Sequence, residues 1–335
     1  MSNHTKSYAI IGAGISGAAC AFHMQQKGYN VDVFDKGRKV GGRFSTYQEA
    51  GLQFDYGSTI INTYPSNFLP ILHQWYDDNL VKEYQGRVSY YSDQDQFKTL
   101  DHCEFYVAKD ASSSIIKYLL ENSKCHLSTR IQSINLEVDG WWLKGSYYDH
   151  QEKKAGHWGP YDEIIFALPG PQFAPLILSH RLDWGKAALK TKYMPQWSVS
   201  YVFSEKLETD FDLLFYTKES PFKLLSRESC KYEQNQEVWT VQMQYNWSSQ
   251  YIDYAKDQMS DLVLSLLQAE YPSISTPIKS KAHLWRYAYP VIPHSEKSFL
   301  HDSQRGLSVC GDWLSGGCIG LAYMCGHELA LHLTK

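Results

Sequence analysis

The sequence predicts an α/β fold in two interleaved parts, and three features carry that expectation. Over residues 8–35 an apolar run, a glycine turn, a helical stretch and a second apolar run follow one another. Around residues 197–203 and 239–247 aromatic or aliphatic side chains alternate with small or polar ones. At 307–310 a short apolar run leads into another glycine-rich turn and a last helical stretch. The outer two features fit a parallel sheet covered by helices, and the middle one fits strands with two unlike faces.

Taken in order, Tyr8, Ala9, Ile10 and Ile11 form the first strand, ending at Gly12. A helix is expected from about Ser16 to Lys27, packed through Ala18, Ala19, Phe22 and Met24, with Gly28 as its left-handed C-terminal cap. Val31, Val33 and Phe34 make the second strand, which ends at Asp35. Residues 113–120 read as a helix, Asp139-Gly140-Trp141-Trp142 as a hairpin turn, and 163–168 as a strand stopped by Pro169 and Gly170. The alternating segments read as strands, residues 258–270 as an amphipathic helix, and 307–310 as the strand before Gly311-Asp312.

A chain of 335 residues with 43% hydrophobic side chains can build one large domain or two closely joined ones. Its net charge of -4 offers no basic surface for nucleic acid or an anionic membrane. Tyr, Phe and Trp reach 15%, which suits a sheet lining a pocket for a planar ligand as well as an ordinary sheet core. Seven cysteines without a CxxC argue against a disulfide framework and a structural zinc site, and the 13 histidines lack ligand spacing, so no metal is expected. Met1 to Lys6 is polar with no leader pattern, and no run approaches the roughly 20 apolar residues of a membrane span. The cytoplasm is the expected compartment, and the oligomeric state is left open.

The chemistry is concentrated in three glycine elements. In Gly12-x-Gly14-x-x-Gly17 the first glycine permits a tight turn, the second lets backbone approach a pyrophosphate, and the third lets helix and strand pack closely. Free N–H groups at the helix start, around Ile15 and Ser16, favour phosphate. Asp35 stands where a ribose diol would be bound, with Lys36 beside it. Gly41-Gly42-Arg43 adds a close backbone approach and a charged donor for phosphate, which after a complete βαβ unit points to FAD rather than NAD. Gly57 and Ser58 lie on an extended segment returning towards that cofactor. At the far end Asp312, after Gly311, either binds a ribityl hydroxyl or caps its own turn, and the helix starting near Gly320 and Leu321 aims its positive end at a flavin.

Together Ile10 to Gly17, Asp35-Lys36, Gly41-Gly42-Arg43, Ala167-Leu168-Pro169, His283 to Ala288, Gly311-Asp312 and Gly320-Leu321-Ala322 resemble the flavin-containing amine oxidase superfamily, closest to the renalases and their bacterial relatives. The resemblance covers nearly the full length, although residues 171–280 match in aromatic strand style alone. It implies a Rossmann-type FAD-binding domain with an interleaved mixed β-sheet substrate domain, and non-covalent FAD held by the residues above and by Ala167. It also implies hydride transfer from dihydro isomers of NAD(P) to the flavin and reduction of O2 to hydrogen peroxide. The expected division gives 1–62, 100–170 and 281–335 to the FAD-binding domain, and 63–99 and 171–280 to the substrate domain. A single GxGxxG leaves no second Rossmann site, so a nicotinamide would enter through the aromatic part.

Other sharp readings are weaker. Cys318 follows the Gly-Asp element, whereas the flavin-linked cysteine of monoamine oxidases precedes it, so a packed thiol near a helix start is expected. Lys190 and Lys192 lie where amine oxidases keep a flavin-side lysine, but no motif anchors either. Trp285, Arg286 and Tyr287 line a substrate pocket or, for Arg286, a structural ion pair. His283 and His294 are isolated, and no GxSxG supports a hydrolase. Two alternatives stand beside the dihydronicotinamide oxidase: an amine oxidase or desaturase of apolar substrates, and a non-catalytic dinucleotide-binding protein.

Overall fold

The computed structural model describes residues 6–91, 97–100, 104–217, 219–291 and 297–335. Met1 to Thr5 and His294 lie outside them. The first strand, Ser7–Ile11, sits in a six-stranded sheet ordered Lys124–His126, Asn30–Phe34, Ser7–Ile11, Glu163–Phe166, Leu307–Cys310, Phe299–Asp302. All neighbours are parallel except the last pair. Period-2 alternation sorts the two faces of this sheet. Tyr8 and Ile10 face a cluster with Met24 of the first helix and Cys325 and Leu329 of the last, while Ala9 and Ile11 face Trp141, Phe173 and Trp184. The sheet is thus buried on both sides, as parallel sheets are.

The first helix runs Ile15–Gln25 and the last Ile319–Leu333, both within a few residues of expectation. They lie side by side because Gly326 has no Cβ, which would otherwise strike the Ser16 carbonyl. On the opposite face, helices Gly170–Ile177 and Leu182–Lys190 pack with an antiparallel meander of Thr129–Glu137, Gly140–Asp149 and Glu152–Tyr161. The Asp139-Gly140 hairpin falls in that meander.

The second part is a seven-stranded mixed sheet ordered Lys279–Pro290, Tyr193–Phe203, Glu237–Met243, Phe222–Arg227, Leu213–Tyr216, Val88–Tyr91, Phe97–Thr99. Helix Lys256–Glu270 covers it through Met259, Val263 and Leu267. Strand Lys279–Pro290 pairs along its length with Tyr193–Phe203, across the expected division at 281. Residues 171–190, expected with the second part, pack under the first sheet, because their apolar faces meet Ile11, Phe166 and Val309. Phe68, Leu72 and Trp75 likewise join the cluster around the first and last helices.

The stretch expected as one strand over 239–247 is a strand, Glu237–Met243, followed by a helix, Tyr245–Gln250. That strand has no wet face, since every residue of it is buried. Its polar Thr240 and Gln242 point at backbone carbonyls instead of water. Among the described residues no helix is long and apolar enough to cross a membrane.

Candidate functional site

The glycine fingerprint closes as its spacing requires. Gly12 has φ of 117°, and a Cβ there would strike the Ala167 carbonyl; one on Gly17 would strike the Gly12 carbonyl and sit 3.0 Å from the Ala167 Cβ. Gly14 differs, because an added Cβ meets nothing within 4 Å. Opposite it, Gly41 donates its N–H to the Ala13 carbonyl at 2.9 Å and bridges Gly14, and Gly42 has only the Gly14 Cα near its missing Cβ, at 3.6 Å. Two glycine turns therefore face each other across open backbone at the start of a helix that carries no acidic residue in its first turn and no side-chain cap. This is a cradle with unused N–H groups, and a pyrophosphate fits it.

Asp35 is fixed at both oxygens: Oδ2 accepts from Ala13 N at 2.8 Å and Oδ1 from Gly37 N at 2.6 Å. Its half-buried carboxylate keeps further lone pairs for a ribose. Ser16 and Lys36 turn elsewhere. The Ser16 hydroxyl donates to the Ala322 carbonyl, and Lys36 Nζ donates to Gln172 Oε1 at 2.9 Å. Gly320 serves packing, since a Cβ there would strike the Tyr64 carbonyl. Ile15 and Leu321 stay half-buried at the two helix starts.

Arg43 joins the far elements. Its Nη1 donates to Asp312 Oδ2 at 2.5 Å, to the Tyr287 carbonyl at 3.0 Å and to the Ala288 carbonyl at 3.1 Å. Burial lowers the guanidinium's pKa, but Asp312 more than offsets that, and the net direction is up. Tyr193 donates to Asp312 Oδ1 at 2.9 Å, so both oxygens of Asp312 have partners, and burial together with that carboxylate raises the phenol. The structure thus uses Arg43 Nη1 to tie the first glycine region to the last, where the sequence assigned the side chain to phosphate. Asp312 is the first residue of a short helix, Asp312–Ser315, after Gly311 at φ of 141°. Cys318 is the N-cap of the last helix, its Sγ accepting from Leu321 N at 3.4 Å.

The segment Asp55 to Thr59 is held along its length. The Asp55 carbonyl accepts from Thr240 Oγ1 at 3.0 Å, Tyr56 from Trp285 Nε1 at 2.7 Å, Gly57 from Gln242 Nε2, and Thr59 from Lys231 Nζ at 2.6 Å. Ser58 N donates to the Arg43 carbonyl at 2.8 Å, against which Gly57 has no room for a Cβ. Lys231, 1% exposed, also meets Glu228 Oε1 at 2.8 Å and Asp55 Oδ2 at 3.6 Å. Burial pushes Glu228 up to about 7. This clamp was not expected, because the charges of its core carry no motif.

Beside this segment lies an aromatic group. Tyr245 and Tyr289 stack at 5.3 Å, and Tyr193 meets Tyr287 edge-on at 5.5 Å. Gly317 admits Tyr289, whose Cδ2 lies 2.8 Å from the position a Cβ would take. Lys223 Nζ bonds the Tyr245 hydroxyl and lies 3.9 Å from the centre of its ring, and burial lowers this lysine to about 8. Of the pocket residues expected, Trp285 stacks on Tyr56 and Tyr287 meets Tyr193 edge-on, whereas Arg286 is exposed. Lys190 and Lys192 are exposed. His283 packs 4.2 Å from the Trp285 ring. No group of three His, Cys, Asp or Glu among the described residues is placed to hold a metal.

Comparison with known proteins agrees with this architecture. Residues 10–77 match the family described as NAD(P)-binding Rossmann-like domain. The chain is 43% identical over 53 residues to a 4,4'-diapophytoene desaturase of Staphylococcus haemolyticus, covering 16% of this chain and 11% of the relative. It is 30% identical over 129 residues to a 1-hydroxycarotenoid 3,4-desaturase of a Flavobacterium, covering 36% and 26%. The chain therefore spans only about a tenth to a quarter of the length of these curated relatives. Among solved structures it superposes on a cyclohexylamine oxidase of Brevibacterium oxydans with a TM-score of 0.74 at 11% identity, covering 98% of this chain and 99% of that one. A protein of Exiguobacterium assigned as a protoporphyrinogen oxidase gives 0.76 at 11% identity, again over 98% and 99%. The chain thus has the two-part α/β fold of the amine oxidase-like proteins, with a Rossmann-like dinucleotide-binding segment at its start.

Proposed function

We propose that the chain is an FAD-dependent oxidoreductase that oxidises dihydro isomers of NAD(P) and passes the electrons to O2, giving the oxidised nicotinamide and hydrogen peroxide. The observation that carries the cofactor is the open backbone at Gly14 and Gly42 beside the uncapped start of the first helix. Gly14, Gly41 and Gly42 would hold the pyrophosphate, with Gly12 and Gly17 shaping the turn that lets them, Asp35 the adenosine ribose, and Asp312 with the start of the last helix the flavin end. FAD bound there supplies a two-electron acceptor.

The chain's own residues then orient and shield. Lys231, Thr240, Gln242 and Trp285 fix the segment 55–59, and Arg43 and Tyr193 fix Asp312. Tyr245 and Tyr289 offer flat faces for a planar ring. Lys223, lowered to about 8, holds or releases a proton at Nζ beside the Tyr245 hydroxyl. The seven-stranded sheet and helix Lys256–Glu270 form the substrate part. Because the single dinucleotide fingerprint is taken by the cofactor, a nicotinamide substrate would enter through the aromatic part.

The test is the absorption spectrum of the purified protein before and after acid precipitation, followed by anaerobic titration with dihydronicotinamide isomers. Released FAD and bleaching by an isomer are expected. A colourless protein that takes up no FAD refutes the cofactor. A second reading, a desaturase or amine oxidase of apolar substrates, is favoured by the carotenoid desaturases among the relatives. It predicts a yellow protein that no isomer bleaches and an amine or polyene does.

A further inference from the structure

Beside Tyr56 a cleft of about 430 Å³ opens between the hairpin of strands Thr46–Glu49 and Leu52–Asp55, the first turn of helix Lys256–Glu270 and the start of strand Lys279–Pro290. Lys39, Lys256 and Lys281 line it against a single carboxylate, Asp257. Among the described residues none of the three lies within 4 Å of a carboxylate, whereas neighbouring Lys279 is paired with Glu49 at 3.6 Å. Lys281 Nζ sits 4.3 Å from the centre of the Tyr47 ring, a cation–π contact that favours this position of the charge beside the cleft.

The inner wall is flat and aromatic. Tyr56 stacks on Trp285 at 5.4 Å and meets His283 edge-on at 5.2 Å. Through Trp285 and Gly57 this wall borders Arg43, so the cleft and the cradle share one partition. Neighbouring groups register the crowding of cations. Burial, then Lys256 and Lys281, pushes His283 down to about 4, and burial, then Lys256, lowers Lys281. A cavity that disfavours its own cations is stabilised by an anion, and its size is that of a small-molecule site.

We propose that this cleft binds the phosphate end of a nucleotide, the lysines taking the phosphate and Tyr47 and Tyr56 flanking the rest. The nucleotide is the one that carries the dihydronicotinamide, a step that rests on the function proposed above. Lysine recognises phosphate as a point charge, and an apolar amine or polyene has nothing to offer three of them. The cleft would therefore select nucleotide substrates over the apolar donors of the second reading.

The test uses the FAD-loaded protein with ADP-ribose and inorganic phosphate as probes, read by tryptophan fluorescence at low salt. ADP-ribose should bind saturably and more tightly than phosphate. Lys256→Ala and Lys281→Ala should each weaken it by about tenfold. Both lysines are exposed, so the fold is retained, and Lys144→Ala on the distant meander should change nothing. Equal binding by wild type and the K256A/K281A variant overturns the site, and phosphate binding as tightly as ADP-ribose overturns its nucleotide character. In flavin bleaching the double variant should raise KM for a dihydro-NAD isomer but not for the phosphate-free riboside; an unchanged KM overturns the link to substrate. Lysine-dependent ADP-ribose binding by a protein that no isomer bleaches would leave the phosphate site standing and remove the function proposed above.

Discussion

Replacing Lys231 by methionine tests whether the buried ionic cluster holds the two parts of the molecule together. The side chain keeps its length and loses its charge. Three interactions go with it: the bond to the Thr59 carbonyl at 2.6 Å, the bond to Glu228 at 2.8 Å and the pairing with Asp55 at 3.6 Å. Two carboxylates then share one dry pocket without a cation, and breaking a buried pair in this way typically costs about 3–5 kcal/mol. Glu228 limits the loss, because burial already pushes it up to about 7 and it can neutralise itself by taking a proton. The expected cost at pH 7 is therefore at the lower end, about 3 kcal/mol. Guanidinium unfolding followed by tryptophan fluorescence measures it. Glu228→Gln supplies the control: it leaves Lys231 with Asp55 and should cost less than about 1 kcal/mol, and K231M/E228Q should be less destabilised than K231M alone. The sign in pH is also fixed. A carboxyl whose native value lies above its unfolded one contributes stability that is complete below the unfolded value and is lost as pH rises through about 7. The stability of wild type relative to E228Q should therefore fall as pH rises towards 7. A K231M protein within 1 kcal/mol of wild type would refute the reasoning.

Three further outcomes are expected. Gly14→Ala should keep wild-type stability, since its Cβ meets nothing, but should lose FAD binding, while Gly17→Ala should fail to fold because its Cβ strikes the Gly12 carbonyl; thermal melts and FAD titration of the two separate ligand approach from packing. His23 stacks on His327 at 4.1 Å, and burial and then His327 hold it at about 4, below its unfolded value. Its contribution is therefore complete above pH about 6.5 and lost as pH falls towards 4, so between pH 7 and 5 the urea midpoint of wild type should fall relative to that of His23→Gln. Lys223 titrates near 8 beside Tyr245, so the visible band of the flavin-loaded protein should shift with a midpoint near pH 8, and Lys223→Met should abolish the shift without releasing the flavin.

The first βαβ unit was legible because its signals are local: an apolar run, a glycine spacing and an acid all lie within 28 residues of Tyr8. The last strand and helix were legible for the same reason. The division of the chain was less so, because the apolar faces of 170–190 do not say which sheet they cover; contact with Phe166 and Val309 decides that. Alternation at 239–247 was real up to Met243, but Thr240 and Gln242 face carbonyls rather than solvent, a distinction that needs the partner segment some 185 residues away. Lys231 and Glu228 carried no signal at all, since charged residues in sequence read as surface ones. Arg43 was read as a phosphate donor beside the glycines, whereas its Nη1 bonds Asp312, a partner 269 residues away.

The order of strands in the parallel sheet bears on how the molecule comes to exist. Ser7–Ile11 lies at its centre, flanked by Asn30–Phe34 and by Glu163–Phe166, and Leu307–Cys310 closes the parallel set. The first helix has its long neighbour in Ile319–Leu333, the two meeting at Ser16 and Gly326. During synthesis the opening unit must therefore wait, with one flank of its helix uncovered, until residue 326 and beyond have emerged. Such long-range pairing slows folding and exposes intermediates to aggregation. Nascent chains stalled before the last helix should stay protease-sensitive throughout the first 35 residues, and the ability to hold a dinucleotide should arrive late and all at once.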